Sequence, residues 1–282
     1  MKFHSIAAAA LAALTFASGP AGATATASAS LTHLTVKLSP ISTDAGAPAP
    51  SAIFNVGSGG SSVYSITASG APYAYEFSIT DGGAAFSPVT NSVASAYGST
   101  NGSISGDVSS AAGASVSASS RADGTELGQS TYSQSTTFLG DGGSSMTFTL
   151  GPNTLLDISG TAVLSTSVGS ASSPSGDEDA YTYVYLALSG TDSQANSVLV
   201  DDYVLDTAGS LQRQGSDGSF DIAVHFVGSR TETSSGAFYG YVEADADSTV
   251  PAIPEPSGLA LLAAGLGVLR VVARRRRTAP RQ

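Results

Sequence analysis

Three well-separated stretches of this chain alternate apolar and polar residues with a period of two: Tyr73, Tyr75, Phe77 and Ile79; Met146, Phe148 and Leu150; and Phe220, Ile222, Val224 and Phe226. Successive side chains of a strand point to opposite faces, so each stretch buries one face when it lies in a sheet covered on that side. The pattern decides between two readings of the composition. A chain with 32 glycines, 12% charged residues and no tryptophan has the make-up of a low-complexity segment, but such a segment has no reason to keep a strand period. Cysteine is absent too. A core, bound ions or assembly must therefore supply the stability that disulfides give to exported domains.

The same period predicts strands over Leu31 to Leu38, Ser62 to Thr67, Tyr73 to Thr80, Met146 to Leu150, Ala180 to Leu188, Ser197 to Leu205, Ser219 to Val227 and Gly236 to Ala244. Thr154 to Thr166 is either a strand pair or one long bent strand. Turn residues separate these runs: the stretch holding Pro40, Pro48 and Pro50, then Asp81-Gly82-Gly83, Asp141-Gly142-Gly143 and Gly151-Pro152-Asn153, the last read as a hairpin turn. Ser87 to Ser120 carries only small residues around its valines and Ile104; it is either a set of narrow strands packed through small side chains or a flap, and its alternation favours strands. Short strands joined by Gly and Asp turns predict an all-β fold, an antiparallel β-sandwich or jelly roll. An outer-membrane barrel would need bands of ~10 residues and aromatic girdles, which these runs lack.

Both ends of the chain carry a different code. Met1 to Ala23 has a positive start at Lys2, an apolar run from Ile6 to Phe16, a helix-breaking Gly19-Pro20 and then Ala21-Gly22-Ala23, which together predict a secretory signal helix cleaved by signal peptidase after Ala23. Ala23-Thr24-Ala25 and Ala25-Thr26-Ala27 offer the same peptidase further sites, so the mature chain starts between Thr24 and Ser28. At the other end, Pro254-Glu255-Pro256 precedes an apolar segment of about residues 258–273, followed by Arg274, Arg275, Arg276 and Arg277. The prolines hold Glu255 in an extended, exposed segment. The segment is apolar on all faces, as a single transmembrane helix is. Leu259 to Ala273 spans roughly 22 Å at ~1.5 Å per residue, short of a ~30 Å hydrocarbon core, and Arg270 must snorkel to the headgroups. Such a helix suits a temporary stop, later removed, or a permanent anchor; the arginines keep the C-terminus cytoplasmic in both cases. The chain thus divides into a signal peptide (1–23), an exported β domain (28–250) and a C-terminal signal (251–282).

Charge narrows the partners. Outside the two end segments the basic residues are Lys37, Arg121, Arg213 and Arg230, 4 against 21 Asp and Glu, a net of −17. Nucleic acid is excluded as a partner, because a phosphate backbone needs basic contacts. Nor do the residues spell a catalytic centre: there is no HExxH, no G-x-S-x-G and no cysteine nucleophile. His225 falls on the face of its strand opposite Phe220 and Phe226, so it faces solvent. Acidic clusters give candidate ligands for calcium, a hard cation that takes ~6–8 oxygens: Asp201 with Asp202, and Asp245 with Asp247, the latter two sharing a strand face with Glu243. No other cofactor is expected. Asp201 and Asp202 also form a candidate acid pair for a hydrolase groove. Tyr181, Tyr183 and Tyr185, with Tyr239 and Tyr241, either line a core or present rings for sugar stacking.

The C-terminal layout of motif, apolar helix and arginine cluster resembles the PEP-CTERM sorting signal of Gram-negative bacteria. The resemblance covers the tail alone and rests on Pro254, Glu255, Pro256 and Arg274 to Arg277. It implies that the chain is the substrate of an exosortase, a membrane transpeptidase-like cysteine protease. It further implies transient residence in the inner membrane, then a place at the cell surface or in the extracellular matrix, associated with exopolysaccharide or biofilm. A non-enzymatic surface protein is the leading expectation, a carbohydrate- or calcium-binding module the second, and a polysaccharide hydrolase the third.

Overall fold

The computed structural model describes residues 23–55, 62–69, 74–81, 86, 88–110, 112–124, 130–139, 146–169, 178–191, 196–209 and 217–249. The expected signal helix up to residue 22, the Pro254-Glu255-Pro256 motif, the transmembrane segment and Arg274 to Arg277 lie outside them. Among the described residues there are fourteen strands and no helix. In chain order they are β1 (Ala23–Pro40), β2 (Ala52–Asn55), β3 (Ser62–Ser69), β4 (Ala74–Asp81), β5 (Val89–Ser95), β6 (Gly98–Gly106), β7 (Ala114–Gly124), β8 (Ser130–Phe138), β9 (Met146–Leu150), β10 (Thr154–Val168), β11 (Asp179–Thr191), β12 (Ser197–Gly209), β13 (Gly218–Val227) and β14 (Ser234–Thr249).

These strands make two antiparallel sheets packed as a sandwich. One has six strands in the order β13-β10-β1-β7-β6-β5. The other runs β12-β11-β14-β8-β3-β4, with β9 continuing the line of β8 along β14 and β2 paired to β9. The Ser87 to Ser120 stretch therefore forms strands, β5, β6 and most of β7. Thr154 to Thr166 is one continuous strand within β10, paired to β1 and β13. Gly151-Pro152-Asn153 is not a hairpin turn. It carries the chain from β9 in one sheet to β10 in the other, since β9 pairs with β14 and β2 while β10 pairs with β1 and β13.

The central strand of the six-stranded sheet explains its own geometry. β1 reaches back to Ala23 and its inward residues are Ala25, Ala27, Ala29 and Leu31, then Leu34, Val36 and Leu38. The inward set switches from odd to even positions at His33. A period-two strand can make that switch only by inserting one residue, a β-bulge. Register bears this out on both sides: three steps of β1, Thr32 to Thr35, oppose two of β10, and Leu31 to Leu34 oppose two of β7. His33 takes the left-handed conformation at φ 55°. Its backbone bulges toward Gly113, where a Cβ would lie 2.7 Å from the His33 carbonyl carbon.

The core between the sheets is graded in side-chain size. At one end rings carry the burial: Phe148 of the larger sheet meets Phe226 of the smaller edge-on at 5.4 Å, and Phe54 lies 6.2 Å from Phe148. Full burial of each such side chain stabilises by ~1.5–3 kcal/mol. At the other end the inward residues are alanines and hydroxyls, with Ala25, Ala118, Ala122, Ser135 and Thr137 all buried. There the sheets touch through short polar side chains. Ser135 donates to the Asn101 carbonyl at 3.0 Å and Thr137 to the Ser117 carbonyl at 2.7 Å, both from β8 across to the facing sheet. The outer face of the smaller sheet is hydroxylated in register. Thr26 lies across from Ser167 with 2.7 Å between hydroxyls, Ser28 lies between Ser165 and Ser119, and Ser103 is 2.9 Å from Ser117.

Asn153 ties three connections together at the crossing turn. It is 2% exposed with φ 59°, a conformation that asparagine tolerates better than most residues. Its amide donates to the carbonyls of Ser42 and Pro48 at 3.0 and 2.9 Å, and its side-chain oxygen accepts from the Ser42 amide at 2.6 Å. Its backbone N–H donates to Ser229 and its carbonyl accepts from Ile41. Asn153→Ala removes three side-chain hydrogen bonds and places an unfavoured residue at positive φ. The expected loss is about 4 kcal/mol, at ~1 kcal/mol for each bond and for the conformation. Denaturant unfolding checks it, and Asn153→Gly should recover only the conformational part.

Candidate functional site: a tyrosine face beside an acidic ribbon

The outer face of the larger sheet carries the chemistry. Along β11 the buried positions are Ala180, Thr182, Val184, Leu186 and Leu188, which turns Tyr181, Tyr183 and Tyr185 to the other side of the sheet. Of the two expectations for these tyrosines, core lining and outward presentation, the second is what the strand adopts. Adjacent rings along the strand stack at 16° and 13°, with centroids 6.1 and 6.0 Å apart. On one flank, register places Tyr241 across from Tyr185 and Tyr239 across from Ala187 on β14. On the other, Tyr203 of β12 lies opposite Tyr185 and is 55% exposed. Tyr183 is 5.5 Å from Tyr241 and 5.8 Å from Tyr203, and Phe138 of β8 extends the surface at 6.0 Å from Tyr241. Leu199 and Leu205 of β12 add exposed apolar surface to the same face. Large exposed apolar patches on a soluble fold mark binding surfaces.

Sequence reasoning found five of these rings and missed two. Tyr203 sits in a run, Ser197 to Leu205, apolar on both sides of the strand. Val198, Val200 and Val204 pack toward the core while Leu199, Tyr203 and Leu205 point away, and no periodicity separates two such faces. Phe138 ends β8, a strand so rich in serine and threonine that its alternation carries no hydrophobic signal.

Carboxylates border the rings. Glu243 lies directly across from Tyr183, Asp245 across from Tyr181 and Asp247 across from Asp179. The Gln134 amide of β8 donates to Glu243 Oε1 at 2.6 Å and to Asp245 Oδ2 at 3.4 Å, bridging the two acids. Burial pushes the Asp245 carboxyl up to about 8; the neighbouring Glu243 carboxylate adds to the shift and Gln134 opposes it. Glu243 is raised as well, by burial against the same Gln134 bond. The phenols are held neutral. Burial first, then Glu243, Tyr183 and Asp245, lifts Tyr181 to about 12, and burial likewise raises Tyr183, Tyr185, Tyr239 and Tyr241.

The candidate acids do not all gather. Asp245 and Asp247 share a face, as alternation requires. Asp201 is on that face too, but across the tyrosines on β12, opposite Ala187. Asp202 points the other way. Neighbours on a strand project to opposite faces, so Asp201 and Asp202 form no facing acid pair. Asp202 instead accepts from the Ala223 amide of β13 at 2.9 Å, joining the edge strands of the two sheets. Among the described residues no group of three or more histidines, aspartates and glutamates is arranged to hold a metal ion. His225 is exposed on its outer face opposite Asp157, and His33 is exposed in the bulge.

Comparison with protein-family models, with curated proteins and with solved structures finds no match to the chain.

The acid ribbon sets a pH response. Asp245 ionises near 3.9 in an unfolded chain and near 8 in the fold. Between these values the folded state holds more protons, so stability falls as pH rises through the window, and the penalty is complete above about 8. Melting temperature should therefore be higher at about pH 5 than at about pH 9, by on the order of 5 °C. Asp245→Asn should remove most of that difference, read by calorimetry across the pH range.

Proposed function

We propose that this chain is a non-enzymatic exported surface or matrix protein that binds polysaccharide through the tyrosine face of its β-sandwich. In this reading the signal helix directs export and signal peptidase removes it. The C-terminal transmembrane helix then holds the chain in the inner membrane until an exosortase acts at Pro254-Glu255-Pro256. The single observation that supports polysaccharide as ligand is the contiguous outward aromatic surface spread over four strands. Sugar rings present apolar C–H faces that pack on tyrosine, while the phenol hydroxyls can donate to and accept from sugar hydroxyls and the bordering carboxylates accept from them. Spread over neighbouring strands, the surface fits an extended polymer better than a small molecule, which would be enclosed in a cleft.

Burial along β1 favours the first of the candidate peptidase sites. Ala25 and Ala27 are 0% and 2% exposed and pair with Ala122 and Ser120 on one side and Val168 and Thr166 on the other. Cleavage after Ala27 would strip the central strand of these residues, and cleavage after Ala25 would remove the first. Only the bond after Ala23 leaves them in place. Mass spectrometry of the exported protein should find Thr24 as the first residue and a C-terminus near Pro254 to Pro256; a tail ending at Gln282 would favour the permanent anchor.

Binding has its own measurement. Native gels cast with exopolysaccharide from the producing cells should retard the full chain. Tyr183→Ala combined with Tyr203→Ala should weaken retardation about tenfold or more, at ~0.5–1.5 kcal/mol for each aromatic contact. Circular dichroism should stay unchanged, because neither ring lies in the core.

A further inference from the structure

We propose that the tyrosine face selects an amino-sugar polymer with free ammonium groups, over neutral or acidic polysaccharides. This rests on the polysaccharide reading above and names the class of sugar. Three acids border the rings from both flanks: Glu243 across from Tyr183, Asp245 across from Tyr181, and Asp201 on β12 close enough to act electrostatically on Tyr183 and Tyr185. Burial keeps the Asp245 carboxyl protonated below about 8, so Glu243 and Asp201 are the two offered to an ammonium. Among the described residues, the outer faces of β8, β14, β11 and β12 carry no lysine, arginine or histidine. The one ion pair among the described residues, Arg121 with Asp123, belongs to the other sheet. Glu243 and Asp245 share a neutral donor, Gln134, in place of a cation.

Such a surface asks for positive charge delivered together with apolar contact. An ammonium on a sugar ring gives a charge-assisted hydrogen bond to a carboxylate and is attracted to the electron-rich faces of tyrosines. The ring that bears it packs on the neighbouring phenol. A neutral sugar makes the second contact without the first. An acidic sugar is repelled by these carboxylates and by the net −17 of the body. A divalent cation would satisfy the acids and leave the rings without a partner. A basic peptide carries the charge, but its flexible side chains pay an ordering entropy that a rigid sugar polymer avoids.

The test compares oligomers of equal length with the full chain by titration calorimetry at low salt and about pH 6, where a sugar amine is charged. Glucosamine hexamer should bind at least about tenfold tighter than N-acetylglucosamine hexamer. Glu243→Gln with Asp201→Asn should erase that preference while leaving the acetylated oligomer unaffected, and Tyr183→Ala should weaken both. Equal binding of the two hexamers would overturn the ammonium selection and leave polysaccharide binding standing. Binding of neither would overturn both. Hexalysine bound as tightly as glucosamine hexamer, and insensitive to Tyr183→Ala, would reduce the surface to a plain acidic patch and overturn the selection for a sugar.

Discussion

The bulge at His33 decides which residues the central strand of the six-stranded sheet presents to the core. β1 is the central strand of its sheet, and its neighbours β7 and β10 take their register from it. A slip of one residue along a strand exchanges its two faces. Without the inserted residue, a β1 that buries Ala25 to Leu31 would turn Leu34, Val36 and Leu38 to solvent. With it, alanines fill one end of the sandwich and large aliphatic and aromatic residues the other. Gly113, just before β7, is the accommodation beside the bulge, since any Cβ there would meet the His33 backbone.

The size gradient that follows produces two unlike ends and two unlike faces. At the small-residue end, serine and threonine hydroxyls reach backbone carbonyls of the opposite sheet directly, so polar contacts take over a role that rings perform at the other end. Outside, the six-stranded sheet shows hydroxyls in register together with charges of both signs, among them Lys37, Asp157 and the Arg121–Asp123 pair. The eight-stranded sheet shows tyrosines and carboxylates. Both outer faces are wet, and only the second combines apolar area with charge of one sign.

Much of this was legible in the sequence, because alternation is a local signal. The strands over Met146 to Leu150, Ala180 to Leu188 and Phe220 to Phe226 stand where their apolar periods place them. The outward aim of His225 follows from the same period. Legibility failed where both faces of a strand have similar polarity. Serine and threonine make up most of β8, and β12 is apolar on both sides, so neither Phe138 nor Tyr203 could be assigned a face. Asp201 and Asp202 looked like a pair by proximity in sequence, whereas strand geometry sends neighbours apart. The Gly151-Pro152-Asn153 turn illustrates a third limit: turn residues announce a reversal but not which sheet receives the chain. One signal was present and unread. The odd-to-even switch of apolar residues across His33, from Ala25, Ala27, Ala29 and Leu31 to Leu34, Val36 and Leu38, spells a bulge in plain sequence.

The order of the strands in space has a consequence for how the chain is made. β1, first of the described strands, lies between β7 and β10, which follow it by many tens of residues, and β14, the last, occupies the middle of the other sheet between β11 and β8. A chain released from its N-terminus, by a ribosome or through a membrane pore, thus holds its first strand unpartnered until its middle has emerged. Its second sheet stays split until the final strand arrives. Non-local pairing of this kind slows folding. Sequential pairs such as β3–β4, β5–β6–β7 and β11–β12 can close as they emerge, but the sandwich shuts only when Thr249 is through.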